Sequence, residues 1–508
     1  MHETERIGVI DLGSNSIRLV IYTVGKHRRY RSLFNLKVAA RLSQYLDEET
    51  QLLTAKGFAV LEEIFSHFKA VLEAHQVQEV RAVATAAVRK AKNREQILSY
   101  VWEKTGIELQ VLLGQEEAYY SYLATIHSID IEDGLIFDMG GSSTEVAAMK
   151  SKRLTHAYSF PIGTLTLLQL WDENAVNAST KRIKKLAAKM FSSQPWLKNM
   201  KVPAIGVGGS VRQLAAVHQH RRNDPFLGLH QYEMTSAELR DTYHYLRKIP
   251  LAKRGKVPSL SKDRADYIVP AGLFIAELLR HIQATSLIIS QKGIRDGLLF
   301  ESMRKKHQTL PTVKEETLLQ LRKEYNLYEP FGTGVYRVAT KLYQALHPKP
   351  NSADNARDQM LLFYSAHLKG LGAYIDEEQS HEHTFSVLTN RSLDGFTHEQ
   401  QIAIALIASF TTCKQLRKKA SQFQRLLNGK VLKNYEQLGA ILRFSNGLFT
   451  TGRSIVDNIK IQSSTRGRKN KIFIYTKGKG KYFEEIQASK DIGQLEKALH
   501  TRFTLIFK

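Results

Sequence analysis

Two short stretches of this chain hold Asp, Gly and Ser at identical offsets: Asp11-Leu12-Gly13-Ser14-Asn15-Ser16 and Asp138-Met139-Gly140-Gly141-Ser142-Ser143. These residue types suit phosphate. Glycine lets backbone N–H groups approach an anion closely, Ser and Asn add side-chain donors, and an Asp at a strand end can hold a divalent metal or its water shell. Either copy alone also reads as a plain hairpin turn. Recurrence about 127 residues apart favours a duplicated domain over coincidence. Two such turns facing each other would clamp a phosphate.

Further groups join them. Gly114-Gln115-Glu116-Glu117-Ala118 is a turn feeding a helix, with two acids at the helix start. One of them suffices to cap the helix and complement its dipole, which leaves the other free to point across a cleft as a general base. Arg89, read here as following the strand Val83-Ala84-Thr85-Ala86-Ala87-Val88, suits bidentate contact with a phosphoryl group, or a plain surface role. Gly206-Val207-Gly208-Gly209-Ser210 is a glycine turn between strand and helix. Such a turn serves close packing or makes an anion site at a helix N-terminus, where Gly208 and Gly209 would meet the ligand. Glu145 is placed either to share a metal with Asp138 or to pair with a neighbouring Lys. His381-Glu382-His383 lacks an Asp partner at metal-binding spacing and reads as exposed helix histidines.

Each Asp-Gly-Ser run sits between two apolar strands, IGVIDL then IRLVIY, and GLIFDM then TEVAAM, so each is expected to be a hairpin. Behind the first come an amphipathic helix near Leu53 to His75, a strand VRAVATAAVR, a helix and the strand IELQVLLG. Behind the second come a helix after Pro161-Ile162-Gly163-Thr164, the strand VPAIGVGGS with a helix opening at Val211, and a helix from Asp266 to Ile282. Strands alternating with helices predict α/β domains over 1–123 and 124–305. From Lys306 leucine and alanine at helical spacing predict a helical domain over 306–442. A small α/β domain follows over 443–508, with strands KIFIYTKG and TRFTLIF around a short helix at Ile492 to His500 and an exposed loop at Arg466 to Asn470.

At 508 residues the chain is too long for one core. No apolar run reaches the ~18 residues of a spanning helix, and the opening MHETERIGVID carries no signal-peptide pattern. The single Cys413 excludes an internal disulfide and Cys-based zinc sites. A cytoplasmic protein without a membrane partner is expected. The net charge of +24 concentrates polyanions, whether nucleic acid, an anionic membrane surface or polyphosphate. Thr411 to Asn434 and Ser463 to Phe483 each carry seven Lys or Arg and no acid, which also fits a solubilising surface. No GxxxxGK[ST] loop and no G-x-S-x-G elbow is present. What remains is the equipment for metal-assisted hydrolysis of a phosphoanhydride.

The motifs DLGSNS, ATAAVR, GQEEA, FDMGGSSTE, PIGT, GVGGS and IRDGLL, in this order, closely resemble the exopolyphosphatase/guanosine-pentaphosphate phosphatase family over residues 1 to about 305. The resemblance implies two ribonuclease H-like domains of the actin and sugar-kinase superfamily. It implies Glu117 as the catalytic base, Asp138 and Glu145 as the Mg²⁺ site, and a homodimer. It further implies a phosphate-binding surface of Asp11, Gly13, Ser14, Asn15, Arg89, Gly140, Gly141, Ser142 and Ser143. Ser142 stands where the family usually has a third glycine. The helical region is similar to an HD-type domain, with His381, His383 and Asp394-Gly395-Phe396 in familiar places, but Lys369 and Gly370 replace the metal-binding dyad, with His367 nearby. A structural role follows for it, lengthening the cleft and supporting dimer contacts.

Inorganic polyphosphate is the leading substrate, hydrolysed with Mg²⁺ to release orthophosphate; the 5′-phosphate of guanosine pentaphosphate (pppGpp) is the alternative. A non-catalytic polyanion-binding protein is the reading of another class, against which the intact carboxylates weigh. A sugar kinase would need an adenosine pocket at the GVGGS turn, and nucleic acid is disfavoured as partner.

Overall fold

A computed structural model describes residues 5–25, 30–47, 49–225, 228–305, 312–348, 352–462, 470–477 and 481–508. The chain divides into two compact units: Met1–Asn223 with Leu229–Val313, and Asp224–Gly228 with Lys314–Lys508.

The first unit holds two sheets of one plan. Strands β1 (Glu5–Leu12), β2 (Ile17–Val24) and β3 (Tyr30–Val38) form an antiparallel meander. Helix α1 (Ala55–Ala74) leads to β4 (Glu79–Ala84), then α2 (Ala86–Lys90), α3 (Arg94–Thr105), β5 (Leu109–Val111) and α4 (Gly114–Ile126). The order β3-β2-β1-β4-β5 has β4 and β5 parallel to β1. The second half repeats this with the meander β6 (Gly134–Met139), β7 (Thr144–Lys150) and β8 (Arg153–Phe160). Helices α5 (Thr164–Gln169) and α6 (Val176–Ser192) precede β9 (Ala204–Val207) and α7 (Gly209–Arg221). Then come β10 (Glu233–Met234), α8 (Ser236–Lys248), α9 (Leu251–Arg254), α10 (Ile268–Ile282), β11 (Leu287–Ile289) and α11 (Ile294–Lys305). Its order β10-β11-β9-β6-β7-β8 is the first plan with one edge strand added.

Pleat parity decides which way the chemistry points. Alternate residues of a strand face opposite sides. On β1, Ile10 and Leu12 enter the core beneath α1, whereas Ile7 and Val9 enter a core shared by the two sheets. On β6, Leu135 and Phe137 enter the second domain's core and Ile136 the shared one. Asp11 and Asp138 follow the parity of Val9 and Ile136, so both turn toward the shared side. Helices α4 and α11 fill that side; a side chain at Gly297 would meet the Tyr120 carbonyl oxygen at 2.1 Å, so their close crossing needs a glycine there.

Three local expectations differ from the structure. The strand read through Arg89 stops at Ala84: Thr85 N–H turns to the Leu12 carbonyl, and the alanine-rich run that follows winds into α2. Helix α7 opens at Gly209 rather than Val211, because Gly208 turns the chain with φ +90°. The terminal helix begins at Tyr482, well before Ile492.

The second unit is helical: α12 (Val313–Glu324), α13 (Glu329–Leu346), α14 (Ser352–Leu368), α15 (Ser380–Asn390), α16 (His398–Ala408), α17 (Cys413–Ala420) and α18 (Gly429–Gly447). From Gln401 onward helix α16, QIAIALIA, is buried on all sides, as an all-round apolar stretch must be. Strands β12 (Val456–Gln462), β13 (Asn470–Thr476) and β14 (Phe503–Phe507), with α19 (Tyr482–Leu499) as the crossover, share one core with these helices through Ile472, Ile474, Leu495 and Phe503. Residue 123 lies within α4 and residue 442 within α18. His367 is buried with Nδ1 2.8 Å from the Phe363 carbonyl and Nε2 3.3 Å from Thr333 Oγ1, so both ring nitrogens are engaged. His381 and His383 are half-buried rather than exposed, because the first turn of α15 packs on the segment after α14. The basic run 411–434 is partly neutralised, Arg417 by Glu436 and Lys419 by Glu382. Of the run 463–483, residues 463–469 and 478–480, with most of the loop expected at 466–470, lie outside the described residues. Among the described residues no helix is long and apolar enough to cross a membrane.

Candidate active site

The turn after β1 and the turn after β6 close alike: Gly13 N–H donates to the Ser16 carbonyl at 3.1 Å and Gly140 N–H to that of Ser143 at 2.9 Å. They also face each other, since Ser142 Oγ donates to Ser14 Oγ at 3.3 Å. Ser142, the departure from glycine, thus joins the two turns. The start of α5 seats the second turn, with Thr164 and Leu165 N–H on the Gly140 and Gly141 carbonyls at 3.0 and 2.9 Å. Lys90 from α2 reaches the Ser142 carbonyl at 3.3 Å.

Between the turns lies a cleft of about 250 Å³. Asp11, Gly13, Ser14, Asn15, Glu117, Asp138, Gly140, Gly141, Ser142, Ser143, Glu145, Gly208 and Gly209 all line it. Arg89 does not. It stands behind Glu117, its guanidinium bonded to that carboxylate and, at 2.7 Å, to the Leu112 carbonyl. The turn of α2 swings it there, away from where an extended strand would have carried it.

The acid pair at the start of α4 divides its work. Glu116 accepts from Leu113 N–H at 2.6 Å and caps the helix. Glu117, one position on, points into the cleft wall and is only 4% exposed. Burial, and next the nearby Glu145, hold its carboxyl well above the usual range, with Arg89 opposing. Glu145 pairs with Asp138 across β6 and β7, and its Oε1 accepts from Ser159 Oγ at 2.8 Å. Burial pushes Asp138 up to about 6 and Glu145 up to about 7, each raised further by carboxylates nearby. Gly208 brings the backbone so near Asp138 that a side chain there would lie 2.4 Å from Oδ1.

Five cations of the cleft escape motif reading: Arg18, Lys37, Arg212, Arg264 and Arg295. Arg295 binds Asp11 at 2.8 Å, and Arg212 Nε donates to the Gly208 carbonyl at 2.8 Å. Burial pushes Arg212 down to about 10, with Asp138 opposing. Arg18 stands across β2 from Asp11, and Lys37 across β3 from Arg18. Arg18, Lys37 and Arg264 make no salt bridge among the described residues; Asp263 offsets part of the charge of Lys37 and Arg264, and the excess of cations faces an anion. Arg212 and Arg295 do lie beside or within GVGGS and IRDGLL, and Arg18 follows DLGSNS by two residues. Lys37 and Arg264 carry no local signal.

A divalent metal fits the donor set at Asp138 and Glu145. Mg²⁺ takes one or two carboxylates and completes its shell with water and phosphate oxygens, and a cation there would relieve the repulsion between two buried acids. Among the described residues no three His, Cys, Asp or Glu side chains are grouped to hold a metal unaided.

Two α/β domains of one plan, each presenting an Asp-Gly-Ser turn to a common cleft, define an actin-like, two-domain phosphate-handling fold. Comparison with known proteins narrows this. The model of the Ppx/GppA phosphatase family matches residues 20–306, and that of its domain III matches 313–475, so the chain belongs to the Ppx/GppA phosphatase family. It is a hydrolase acting on phosphoanhydrides. Exopolyphosphatase 1 of Mycobacterium tuberculosis is 25% identical over 304 residues, 59% of this chain and 88% of that protein. The crystal structure of the Aquifex aeolicus family member matches with a TM-score of 0.55 at 26% identity, covering 60% of this chain and 100% of that one. An exopolyphosphatase from Cytophaga hutchinsonii matches in fold, with a TM-score of 0.54 at 21% identity over 59% of this chain and 98% of its own.

Proposed function

We propose that this protein is an exopolyphosphatase, removing terminal phosphate from inorganic polyphosphate with Mg²⁺ and releasing orthophosphate. The observation that carries the reading is the meeting of the two turns over a buried Glu117. Asp138 and Glu145 would hold the metal, which when bound supplies charge to the terminal phosphate. The Gly141 backbone N–H, with Ser14, Asn15 and Ser143, binds that phosphate, while Gly13 and Gly140, whose N–H groups close the two turns, leave it room to approach; Gly208 and Gly209 offer a further helix N-terminus. Glu117 takes a proton from water as the water oxygen bonds to phosphorus. The bridging P–O bond breaks, and its electron pair stays on the shortened chain. A raised carboxyl makes the stronger base, and burial excludes bulk water. Arg89 orients Glu117 and keeps it ionised, acting through that carboxylate. Arg18, Lys37 and Arg264 neutralise the following phosphates.

The net charge of +24 and the exopolyphosphatase relatives favour polyphosphate over pppGpp. The test is phosphate release from long-chain polyphosphate and from pppGpp with Mg²⁺, for the wild type and Glu117→Gln. Release from polyphosphate that vanishes in the variant supports the reading. Turnover of pppGpp alone overturns the substrate, and turnover that survives the substitution overturns the base. We further propose a cytoplasmic homodimer, to be checked by cell fractionation and by light scattering.

A further inference from the structure

The second unit has a pocket of about 650 Å³ for which the phosphatase reaction has no use. That volume lies in the range of small-molecule sites, roughly 300 to 1,000 Å³. The loop between α12 and α13, the end of α14 and the first turn of α15 surround it. Its rim is aromatic. Tyr328 is 75% exposed and Tyr374 64% exposed, although both are large rings beside an open cavity. Tyr325 meets Tyr374 edge to face with ring centroids 5.6 Å apart.

Among its lining residues Lys369 is the one cation, since burial holds the His367 and His381 rings below the ordinary imidazole range and Asn326, Ser380 and Asn446 are neutral. Lys369, His367, His381 and Asn446 line the wall. The Lys369 ammonium makes no hydrogen bond or salt bridge among the described residues. The nearby Asp491 is already bonded to Arg443 at 2.8 Å, so the lysine charge is left without a carboxylate of its own. Burial pushes this lysine down to about 8, which leaves it mostly charged at neutral pH. A half-buried cation without a partner, under exposed rings, calls for a ligand that is anionic at one end and flat at the other. Rings stack on planar bases whatever their identity, and a lysine binds phosphate as a point charge.

We propose that this pocket binds a nucleoside phosphate, with the base against the Tyr328 and Tyr374 rim and the phosphate on Lys369. The site lies within one unit and is lined by none of the cleft residues. No metal or nucleophile is required of it, so its role is binding, and through binding a means of regulation.

The test is calorimetric titration of the full chain with GMP, AMP, ribose 5-phosphate and guanosine. Nucleotide binding is expected to weaken about tenfold or more in Lys369→Met, where a charge-assisted contact is lost. It should weaken about fivefold or more in Tyr328→Ala, where stacking is lost. Ribose 5-phosphate and guanosine, each lacking one half, should bind more weakly than either nucleotide. Tyr328 is exposed, so its substitution tests the proposal even should Lys369→Met fail to fold. Nucleotide affinity unchanged in the folded variants would assign the binding to the cleft and overturn the proposal. Absence of binding at millimolar nucleotide, or equal affinity for ribose 5-phosphate and GMP, would also overturn it.

Discussion

The turn after β1 and the turn after β6 have one backbone and opposite surroundings. Asp11 stands across from Arg18, which stands across from Lys37, and Arg295 binds Asp11 from α11. The equivalent row in the second domain reads Asp138, Glu145, Ser159. A duplicated frame therefore carries a basic row on one side of the cleft and an acidic row on the other. The basic row can receive a phosphate chain, and the acidic row can receive a cation. Duplication supplies matched geometry, and a single strand position, Arg18 or Glu145, sets the sign.

Several experiments would break or sharpen this contrast. The largest effect is expected at the wall the acidic row faces: Glu117→Gln should lower kcat about 100- to 10,000-fold with a far smaller change in KM, read by phosphate release. Next comes cation binding. Mg²⁺ should raise the Tm of the wild type and of Asp11→Asn, and should lose that effect in Asp138→Asn, because binding to the folded state alone stabilises it. Equal loss in both variants would erase the distinction between the turns.

Protonation gives a third test, in metal-free protein. Asp138 and Glu145 have folded values of about 6 and about 7, above their ordinary 3.8 and 4.5, so the folded state binds more protons than the unfolded one between those limits. Stability must then fall as pH rises from about 4 to about 7. For Asp138 alone the loss is on the order of 3 kcal/mol. Asp138→Asn should flatten that slope in urea titrations, and a slope left intact would place the proton elsewhere. A smaller effect belongs to the basic row. Lys37→Ala should raise KM for polyphosphate about two- to tenfold with kcat little changed, and lessen its salt dependence. Least of all, Ser142→Gly removes one neutral hydrogen bond and should cost about 1 kcal/mol or less, seen as a small rise in KM.

Much of the site was legible because strand and turn chemistry is local. The hairpins, the glycine turn at 206–210 and the acid pair at 116–117 announce themselves by residue type. Arg89 shows the limit: its motif is plain, but the alanine run before it winds into a helix, and one turn of helix moves a side chain from the cleft to the back of Glu117. Lys37 and Arg264 show another, since neither carries a pattern: Lys37 is brought in by its register opposite Arg18, and Arg264 by lying against Gly209, far from it in the chain. The pocket in the helical unit was hidden for the same reason, its walls drawn from residues 325–332, 366–374, 380–381, 408 and 446.

By itself the sequence determined the duplicated α/β plan, the two turns and the side on which each Asp emerges, because a hairpin's register and a strand's alternation follow from residues within a few positions. Tertiary structure decided the charges. Which carboxylate is buried, which arginine is already paired and which cation is left free depend on neighbours far apart in the chain. Burial and Coulomb interaction act through distance in space, which a linear order does not encode.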